Sequence, residues 1–407
     1  MKLYIDPGTG SMLFAAIIGL ATTGVFAFKG IYLKMKQRIS GGKVEVAEEK
    51  IPLVIFSDHK RYWNVFQPIC DELERREISC EFWTMSSDDP ALSCPYEFVK
   101  CRFIGEGNKA FAKLNMMNAK VCLSTTPGLD VFQWKRSKNV ETYIHIYHSL
   151  DDGTVYRMFA LDFYDAVMLT GPLQEQPIRA LEEMRHLKSK ELILAGSPFM
   201  DSLQKRAEGT VRSQPDVSKQ KTVLCAPSWG ESSLLNKYGE SFIDAVIATG
   251  YDVIIRPHPQ SFTSDAELMD KLQQKYPNND HFQWNRDNDN FEVLSRADIM
   301  ISDFSAVIFD YSLIFDRPII YTDTEFDPAP YDAAWFDELP WTVRCMGTIG
   351  KKLSKDDFPK MKAVIDEVIS DDRYAEGRAK AKELLWSHQG SSAVKAVDYL
   401  EKMITAL

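Results

Sequence analysis

The sequence predicts an α/β fold in which two Rossmann-like domains face a common cleft, preceded by one N-terminal transmembrane helix. With 407 residues, 45% of them hydrophobic, the chain is long enough for two α/β cores. From Ile51 onward, short apolar runs alternate with longer amphipathic runs, which is typical of parallel strands joined by crossover helices. Residues 12–28 carry no charged side chain, which is typical of a membrane span.

The N-terminal apolar run is followed, rather than preceded, by most of the nearby basic residues, which are Lys29, Lys34, Lys36 and Arg38. This bias places the rest of the chain on the cytoplasmic side. A cleaved signal peptide and a buried helix are the alternatives, but no small-residue cleavage site follows the run, and Asp6 and Pro7 make a poor basic leader. We therefore expect a single-pass protein of the cell membrane, with residues 1–49 as anchor and tether and the globular part in the cytoplasm.

The first Rossmann-like domain is expected over residues 50–205. Its strands are predicted from short runs rich in β-branched and aromatic side chains, at 53–57, 80–84, 121–124, 142–147, 166–169 and 191–195. Helices are predicted at 63–77 and 172–187, where apolar side chains recur at helical spacing.

The second Rossmann-like domain is expected over residues 206–385, after a polar stretch at 207–221 that has no apolar periodicity. Its predicted strands are 222–226, 252–256, 281–284, 299–302 and 319–322. Its predicted helices are 241–249, 265–276, 291–296 and 305–315. Residues 386–407 are expected to form a final helix, with the option of crossing back to the first domain.

Composition excludes some classes of partner and site. The 58 acidic residues outnumber the 48 basic ones, and a formal net charge of −10 repels nucleic acid. The seven cysteines are odd in number and show no C-x-x-C or Cys/His ligand spacing, so we expect reduced thiols.

The strand predicted at 252–256 ends in Arg256-Pro257-His258-Pro259. Ligands of open α/β sheets bind at the carboxyl ends of strands, where Arg256 and His258 can bind phosphate oxygens. This pattern predicts a diphosphate site. The alternative is a stiff turn with an exposed arginine and a histidine packed on proline.

A second candidate anion site follows the strand predicted at 299–302. Ser302 and Ser305 flank the start of a helix, whose free backbone N–H groups favour anions. Simple N-capping is the alternative, and for Ser305 alone it is the favoured one. Asp303 is expected to bond a hydroxyl or to orient His258, since an ionised carboxylate repels phosphate.

The third cluster follows the strand predicted at 142–147, where His148 is expected to face the cleft and to remove a proton from an alcohol. His145, three residues earlier, is expected to be structural. The acidic pair Asp151-Asp152 is interpreted as a solvated turn rather than a metal site. In the second domain, Ser228 and Trp229 follow a strand in the same manner, with the indole either beneath a base or in the core.

Taken in order, these motifs resemble the CDP-glycerol glycerophosphotransferase family of wall teichoic acid synthesis. The motifs are His148-Ser149, Ala226-Pro227-Ser228-Trp229, Arg256-Pro257-His258-Pro259, and Ser302-Asp303-Phe304-Ser305 with Phe309-Asp310. The resemblance spans about residues 53–323 and implies a GT-B fold, with the acceptor in the first domain and a CDP-alditol donor in the second.

The resemblance also implies roles for individual residues. His148 matches the catalytic histidine, and we place His258 with it as catalytic. Arg256 and His258 match the donor-phosphate residues of the family. A second phosphate-binding element falls on Ser302, Asp303, Ser305 and Asp310, and further donor contacts fall on Ser228 and Trp229.

Three departures from the family pattern leave room for another donor, such as CDP-ribitol or a nucleotide sugar. Gly230 stands where family members commonly carry an arginine, and Ser149 stands where they usually carry a glycine. Family members also often meet the membrane through basic surfaces, whereas this chain is expected to use a helix.

The resulting hypothesis is a transferase that moves glycerol phosphate, or a related polyol phosphate, from a CDP-alcohol to a hydroxyl of a lipid-linked or polymeric acceptor, releasing CMP. The scheme requires no cofactor, although the donor can carry Mg²⁺. The alternatives are a GT-B glycosyltransferase that uses a UDP- or CMP-sugar, and a catalytically idle membrane-tethered protein that binds a nucleotide or polymer.

Overall fold

The computed structural model describes residues 49–209, 220–287, 289–371 and 373–405. The predicted anchor at 12–28 and most of the predicted polar stretch at 207–221 lie outside the described residues. Among the described helices, none is both long enough and apolar enough to cross a membrane. From Lys50 onward, the chain forms one compact unit built on two sheets.

The first sheet contains seven strands in the order β3-β2-β1-β4-β5-β6-β7, and every pair is parallel. Its strands are β1 (Ile51–Ser57), β2 (Cys80–Thr84), β3 (Val99–Phe103), β4 (Asn118–Ser124), β5 (Asn139–Ile146), β6 (Ala166–Leu169) and β7 (Glu191–Leu194). The central strands are buried on both faces, which is why they appear in the sequence as continuous apolar runs.

The second sheet contains six strands in the order β10-β9-β8-β11-β12-β13, again all parallel. Its strands are β8 (Thr222–Cys225), β9 (Asp252–Ile255), β10 (Phe282–Trp284), β11 (Ile299–Ser302), β12 (Ile319–Thr322) and β13 (Gly350–Leu353). The predicted α/β class with parallel sheets is confirmed.

Crossover helices cover both sheets. Those before β8 are α1 (Trp63–Arg75), α2 (Gly107–Leu114), α3 (Glu175–Met184) and α4 (Pro198–Gly209). Those after β8 are α5 (Leu234–Ile247), α6 (Ser261–Ser264), α7 (Ala266–Lys275), α8 (Phe291–Arg296), α9 (Val307–Phe315), α10 (Trp341–Arg344), α11 (Met346–Ile349), α12 (Met361–Ser370), α13 (Ala375–Leu385) and α14 (Ser392–Thr405). Short 3-10 helices occur at Lys60–Tyr62, Pro90–Ser93, Pro172–Gln174, Asp332–Trp335 and Lys355–Lys360.

Two strands were not predicted from the sequence, and both lie at sheet edges. β3 reads VKCRF and β13 reads GKKL, so each mixes charged with apolar residues. An edge strand leaves one side unpaired, and charged side chains there discourage pairing with another chain. The same charged residues interrupt the apolar run by which the other strands were predicted, so these two were missed.

Strand order reverses in each sheet beside its first strand, between β1 and β4 and between β8 and β11. Such a switch point opens a crevice at the carboxyl ends of the strands, because the adjoining connections leave towards opposite faces. The segments that follow β1, β4 and β5 therefore share one edge of the first sheet. Those that follow β8, β9 and β11 share one edge of the second.

The segment from Pro330 to Trp341 joins the two sheets through backbone contacts. Ala333 N donates to Thr154 O at 2.9 Å, and Asp332 N donates to Tyr156 O at 2.9 Å. Trp341 N donates to the carboxylate of Asp152. The loop after β5 is thereby fixed against the second sheet.

The chain returns to the first sheet after α13. Asp201 of α4 binds this return at two points, accepting from Trp386 Nε1 at 3.0 Å and from Ser392 N at 2.8 Å. Helix α14 then packs on α1, β1 and β4, with Val397 and Leu400 fully buried in the same core as Leu53. The last helix of the chain is thus part of the first core.

Candidate active site

His148 lies just beyond β5 at the carboxyl edge of the first sheet. Its Nδ1 is 3.1 Å from Thr125 Oγ1 and 3.2 Å from the Tyr156 hydroxyl, and Thr125 itself follows β4. The ring of Tyr62 lies 4.8 Å from the imidazole, centroid to centroid. Three neighbouring chain segments therefore hold the histidine in one orientation.

The hydroxyl contacts limit the tautomer of His148. A general base needs an unprotonated Nε2, so Nδ1–H must donate to the oxygen of Thr125 or Tyr156, either of which can accept. Tyr156 is also 3.3 Å from Nε2 of His145. His145 was predicted to be structural; it is fully buried, yet the tyrosine hydroxyl connects it to His148.

Both candidate catalytic histidines are electrostatically perturbed. Burial, with the charges of Arg61 and His258, lowers the pKa of His148 to about 4. Burial, with the charges of Arg61 and Arg256, likewise lowers the pKa of His258 to about 4. The two histidines follow strands of different sheets, and the contact of Arg157, after β5, with Trp229, after β8, brings the carboxyl edges of those sheets together.

His258 follows β9 in the second sheet. Its Nδ1 accepts a hydrogen bond from Gln260 N at 3.1 Å, which fixes the proton of the neutral ring on Nε2. The indole of Trp229, which follows β8, lies 6.3 Å from the imidazole, and Arg157 lies 6.0 Å from the indole centroid. Arg157 belongs to the loop after β5, so this contact spans the cleft.

The Arg256 side chain is held by two residues that follow β10 in the same sheet. Its guanidinium donates to Asn285 Oδ1 and, at 2.7 Å, to the carbonyl oxygen of Asp287. Burial lowers its pKa, while the carboxylates of Asp287 and Asp289 oppose that shift. These bonds orient the guanidinium and occupy part of its donor set.

Asp303 has a different role from the one predicted. It is fully buried, and its two carboxylate oxygens accept from Ser228 N and Leu234 N, each at 2.9 Å. Among the described residues its carboxylate oxygens bond these two backbone N–H groups and not His258, so the predicted orientation of His258 by Asp303 is not observed. Asp303 instead ties the Ser228-Trp229 loop and the start of α5 to the end of β11.

The two serines of the predicted phosphate element differ in position. Ser302 is fully buried, and its hydroxyl donates to Ala226 O at 2.6 Å, so its prediction as a direct phosphate ligand does not fit this geometry. Ser305 is partly exposed just before α9. The N-cap position of that helix is Ala306, which has no side-chain cap, so capping does not explain the serine.

Three buried carboxylates lie near these segments. Burial raises the pKa of Asp310 to about 7, and the carboxylate is 3.4 Å from Asn290 Nδ2. Asp151 and Asp152 are 1% and 2% exposed, so the predicted solvated turn is wrong. Asp152 accepts a hydrogen bond from Trp341 N, and Asp151 accepts from Ser149 Oγ and Gly153 N, so both carboxylates are bonded within the protein.

The sequence analysis missed Arg61, Thr125, Tyr156 and Arg157. Thr125 directly follows β4, and Arg61 lies four residues beyond β1, so the rule that singled out His148 applies to both. Tyr156 and Arg157 lie in irregular chain, and their proximity to His148 and Trp229 depends on long-range packing. No local pattern marks them.

Residues 160–336 match the family described as CDP-Glycerol:Poly(glycerophosphate) glycerophosphotransferase. This range contains Trp229, Arg256, His258 and Asp303, while His148 precedes it. The comparison with curated proteins gave no significant match.

Several solved structures share the fold. A wall teichoic acid polymerase, TagF, superposes with a TM-score of 0.58 at 15% identity, covering 95% of this chain and 98% of that one. A variant of TagF soaked with CDPG gives 0.57 at 16% identity over the same shares of the two chains. A UDP-GlcNAc 2-epimerase from Neisseria meningitidis gives 0.53 at 12% identity, covering 86% of this chain and 99% of that one.

At these identities the structural likenesses show the fold alone, and that fold is of the GT-B type. The match over residues 160–336, which are less than half of the chain, indicates a CDP-glycerol glycerophosphotransferase-like enzyme on this GT-B fold.

Proposed function

We propose that the enzyme transfers glycerol phosphate, or a related polyol phosphate, from a CDP-alcohol to a hydroxyl of a lipid-linked or polymeric acceptor and releases CMP. The observation that carries the proposal is the pair of imidazoles, His148 and His258, at strand ends of different sheets that the contact of Arg157 with Trp229 brings together. The match to the glycerophosphotransferase family favours this reaction over sugar transfer on the same fold.

In the proposed reaction, the acceptor oxygen attacks the phosphorus that carries the glycerol. The bond between that phosphorus and the bridging oxygen breaks, and CMP leaves with the electron pair. His148 Nε2 takes the acceptor proton, while Thr125 or Tyr156 accepts from Nδ1–H. In-line transfer of this kind depends mainly on positioning and on stabilisation of charge.

The second sheet is proposed to hold the donor. Nε2–H of His258 and the guanidinium of Arg256 supply donors for the diphosphate, and the uncapped start of α9 with Ser305 supplies more. Trp229 offers a ring face for the base, and Asp303 fixes the loop that carries it. Mg²⁺ carried by the donor is compatible with this arrangement.

We also propose that residues 12–28 anchor the enzyme in the cell membrane, with the catalytic part in the cytoplasm. The support comes from the sequence, which has an uncharged run followed by basic residues. Tethering would raise the local concentration of a membrane-linked acceptor at the cleft.

The proposal is tested with the full-length enzyme and His148→Ala. Binding is measured by calorimetric titration with CDP-glycerol, CDP-ribitol, UDP-sugars and CMP-sugars, and turnover by CMP release with a lipid-linked acceptor. We expect CDP-glycerol or CDP-ribitol to bind, and His148→Ala to lower turnover by roughly 100-fold or more with donor affinity nearly intact.

Other outcomes would point elsewhere. Binding of only a UDP- or CMP-sugar would establish a glycosyltransferase instead, and donor binding without CMP release would indicate an idle binding protein. Equal loss of binding and turnover in His148→Ala would remove its role as the base.

A further inference from the structure

Arg61 lies in the 3-10 helix Lys60–Tyr62, at the carboxyl end of β1 and beside the switch point of the first sheet. Its backbone is fixed locally, because Arg61 N donates to His59 Nδ1 at 3.1 Å. The next residue, Tyr62, packs its ring 4.8 Å from the ring of His148. The arginine is therefore placed at the edge of the sheet from which His148 projects.

Within the described residues, the guanidinium of Arg61 forms no ion pair within 4.0 Å, and its buried Nε has no hydrogen-bond partner. A buried donor without a hydrogen-bond partner destabilises a protein, and proteins usually satisfy such groups. An anion from outside the chain is one partner that meets this need. By contrast, the guanidinium of Arg256 is already bound to Asn285 and Asp287.

The charge of Arg61 acts on both sides of the cleft. It lowers the pKa of His148 and also that of His258, which belong to different sheets. Arg61 Cζ lies 5.7 Å from the centroid of the Tyr62 ring, and that ring contacts His148, so the guanidinium lies beside His148 and near the gap between the two histidines. In the proposed reaction, this gap holds the phosphorus under attack.

We propose that Arg61 is a catalytic residue that binds the non-bridging oxygens of the phosphoryl group during its transfer. This inference rests on the transferase function proposed above. As the acceptor oxygen bonds to phosphorus and the bond to CMP lengthens, negative charge gathers on those oxygens opposite the guanidinium. The proton passes to His148 Nε2 and the electron pair leaves with CMP, so Arg61 exchanges no proton.

Asp58 provides the competing explanation for Arg61. Its carboxyl group is buried three residues earlier, one oxygen lacks a partner, and Arg61 counteracts the effect of burial on its pKa. If Arg61 served only to neutralise Asp58, removing both charges together would restore function. If Arg61 binds the phosphoryl group, the double variant would stay as impaired as the single one.

The test compares Arg61→Ala, Arg61→Lys and the double variant Asp58→Asn/Arg61→Ala in the full-length enzyme. Arg102→Ala is the matched control, since Arg102 lies on edge strand β3 and pairs with Glu81. We expect kcat for CMP release to fall roughly 100-fold or more in Arg61→Ala, with partial recovery in Arg61→Lys and none in the double variant. CDP-glycerol affinity and Tm should change little.

A second readout is the pH profile of kcat/KM. Removing Arg61 removes a charge that lowers the pKa of His148, so the acidic limb should move to higher pH. Recovery in the double variant, or wild-type turnover in Arg61→Ala, would overturn the proposal for Arg61. Absence of CDP-alcohol binding and CMP release in the wild-type enzyme would instead overturn the transferase function itself.

Discussion

Tyr156 and Tyr147 stack on each other with ring centroids 5.4 Å apart, but their hydroxyls have different surroundings. The Tyr156 hydroxyl contacts His148 and His145, whereas the Tyr147 hydroxyl is buried with no hydrogen-bond partner among the described residues. The two side chains are matched in size and position. They therefore allow the contribution of one hydroxyl to His148 to be isolated.

We expect Tyr156→Phe to lower kcat about tenfold, because one hydrogen bond that orients the imidazole is worth roughly 0.5–1.5 kcal/mol. Tyr147→Phe should leave kcat unchanged, since its hydroxyl supports no other group. Steady-state CMP release for both variants is the measurement. Equal effects of the two substitutions would show that the Tyr156 hydroxyl does not position His148.

Asp310 gives the fold a predictable dependence on pH. Its pKa is about 7 in the folded chain against 3.8 for an ordinary aspartate, because burial disfavours the carboxylate. Between these values the folded state binds more protons than the unfolded state, so stability falls as pH rises through this window. Each pH unit within it costs roughly 1.4 kcal/mol.

Asp310→Asn cannot ionise and should therefore stabilise the protein more at pH 8 than at pH 5. The measurement is Tm at both pH values, with exposed Asp280→Asn as the control that should show no such difference. A gain of the same size at both pH values would mean that Asp310 is not held protonated by the fold.

At the scale of elements, apolar patterning located the central strands well. β2, β6, β11 and β12 have the predicted limits. β6 and β11 are buried along their whole length, which leaves no place for charged residues. The edge strands β3 and β13 were not predicted, because charged residues interrupt their apolar pattern. Helix α5 contains two helical stretches that meet at a kink at Gly239, where φ is +43°, and the predicted helix at 241–249 corresponds to the second stretch.

Helix α14 should contribute to the stability of the first core. Leu400 is fully buried in that core, and Arg76 at the end of α1 forms ion pairs with Asp398 and Glu401 of α14. Leu400→Ala should lower the free energy of unfolding by about 2–5 kcal/mol. Val394→Ala on the same helix should stay within about 0.5 kcal/mol, because Val394 is 38% exposed.

Urea denaturation of the two variants measures this difference. A small effect of Leu400→Ala, matching that of Val394→Ala, would mean that the helix does not dock on the first core in solution.

At the scale of the whole molecule, the sequence predicted the fold class and the edges of the sheets where the site lies. The two histidines could be placed because each directly follows a central strand. Three other features could not be predicted from the sequence, because each depends on how distant segments pack. They are the bonds of Asp303, the burial of Ser302 and the contact of Arg157 with Trp229. Local patterns identify strand ends, and tertiary contacts decide which side chains remain available there.

The proposed anchor makes a prediction for the full chain. Because Lys50–Leu407 forms a compact unit, a fragment of those residues should fold and remain in the soluble fraction, whereas the full-length protein should sediment with membranes. Membrane fractionation and circular dichroism measure both properties. A full-length protein that stays soluble would refute the anchor.

The two hydrogen bonds of Asp201 limit how the cleft can open. The chain returns to the first sheet after α13, and this one carboxylate holds the return at Trp386 and Ser392. A motion that moves the second sheet away from the first must keep the end of α13 close to α4 or break both bonds. Admission of a nucleotide and release of CMP would then rely on motions that leave this attachment in place.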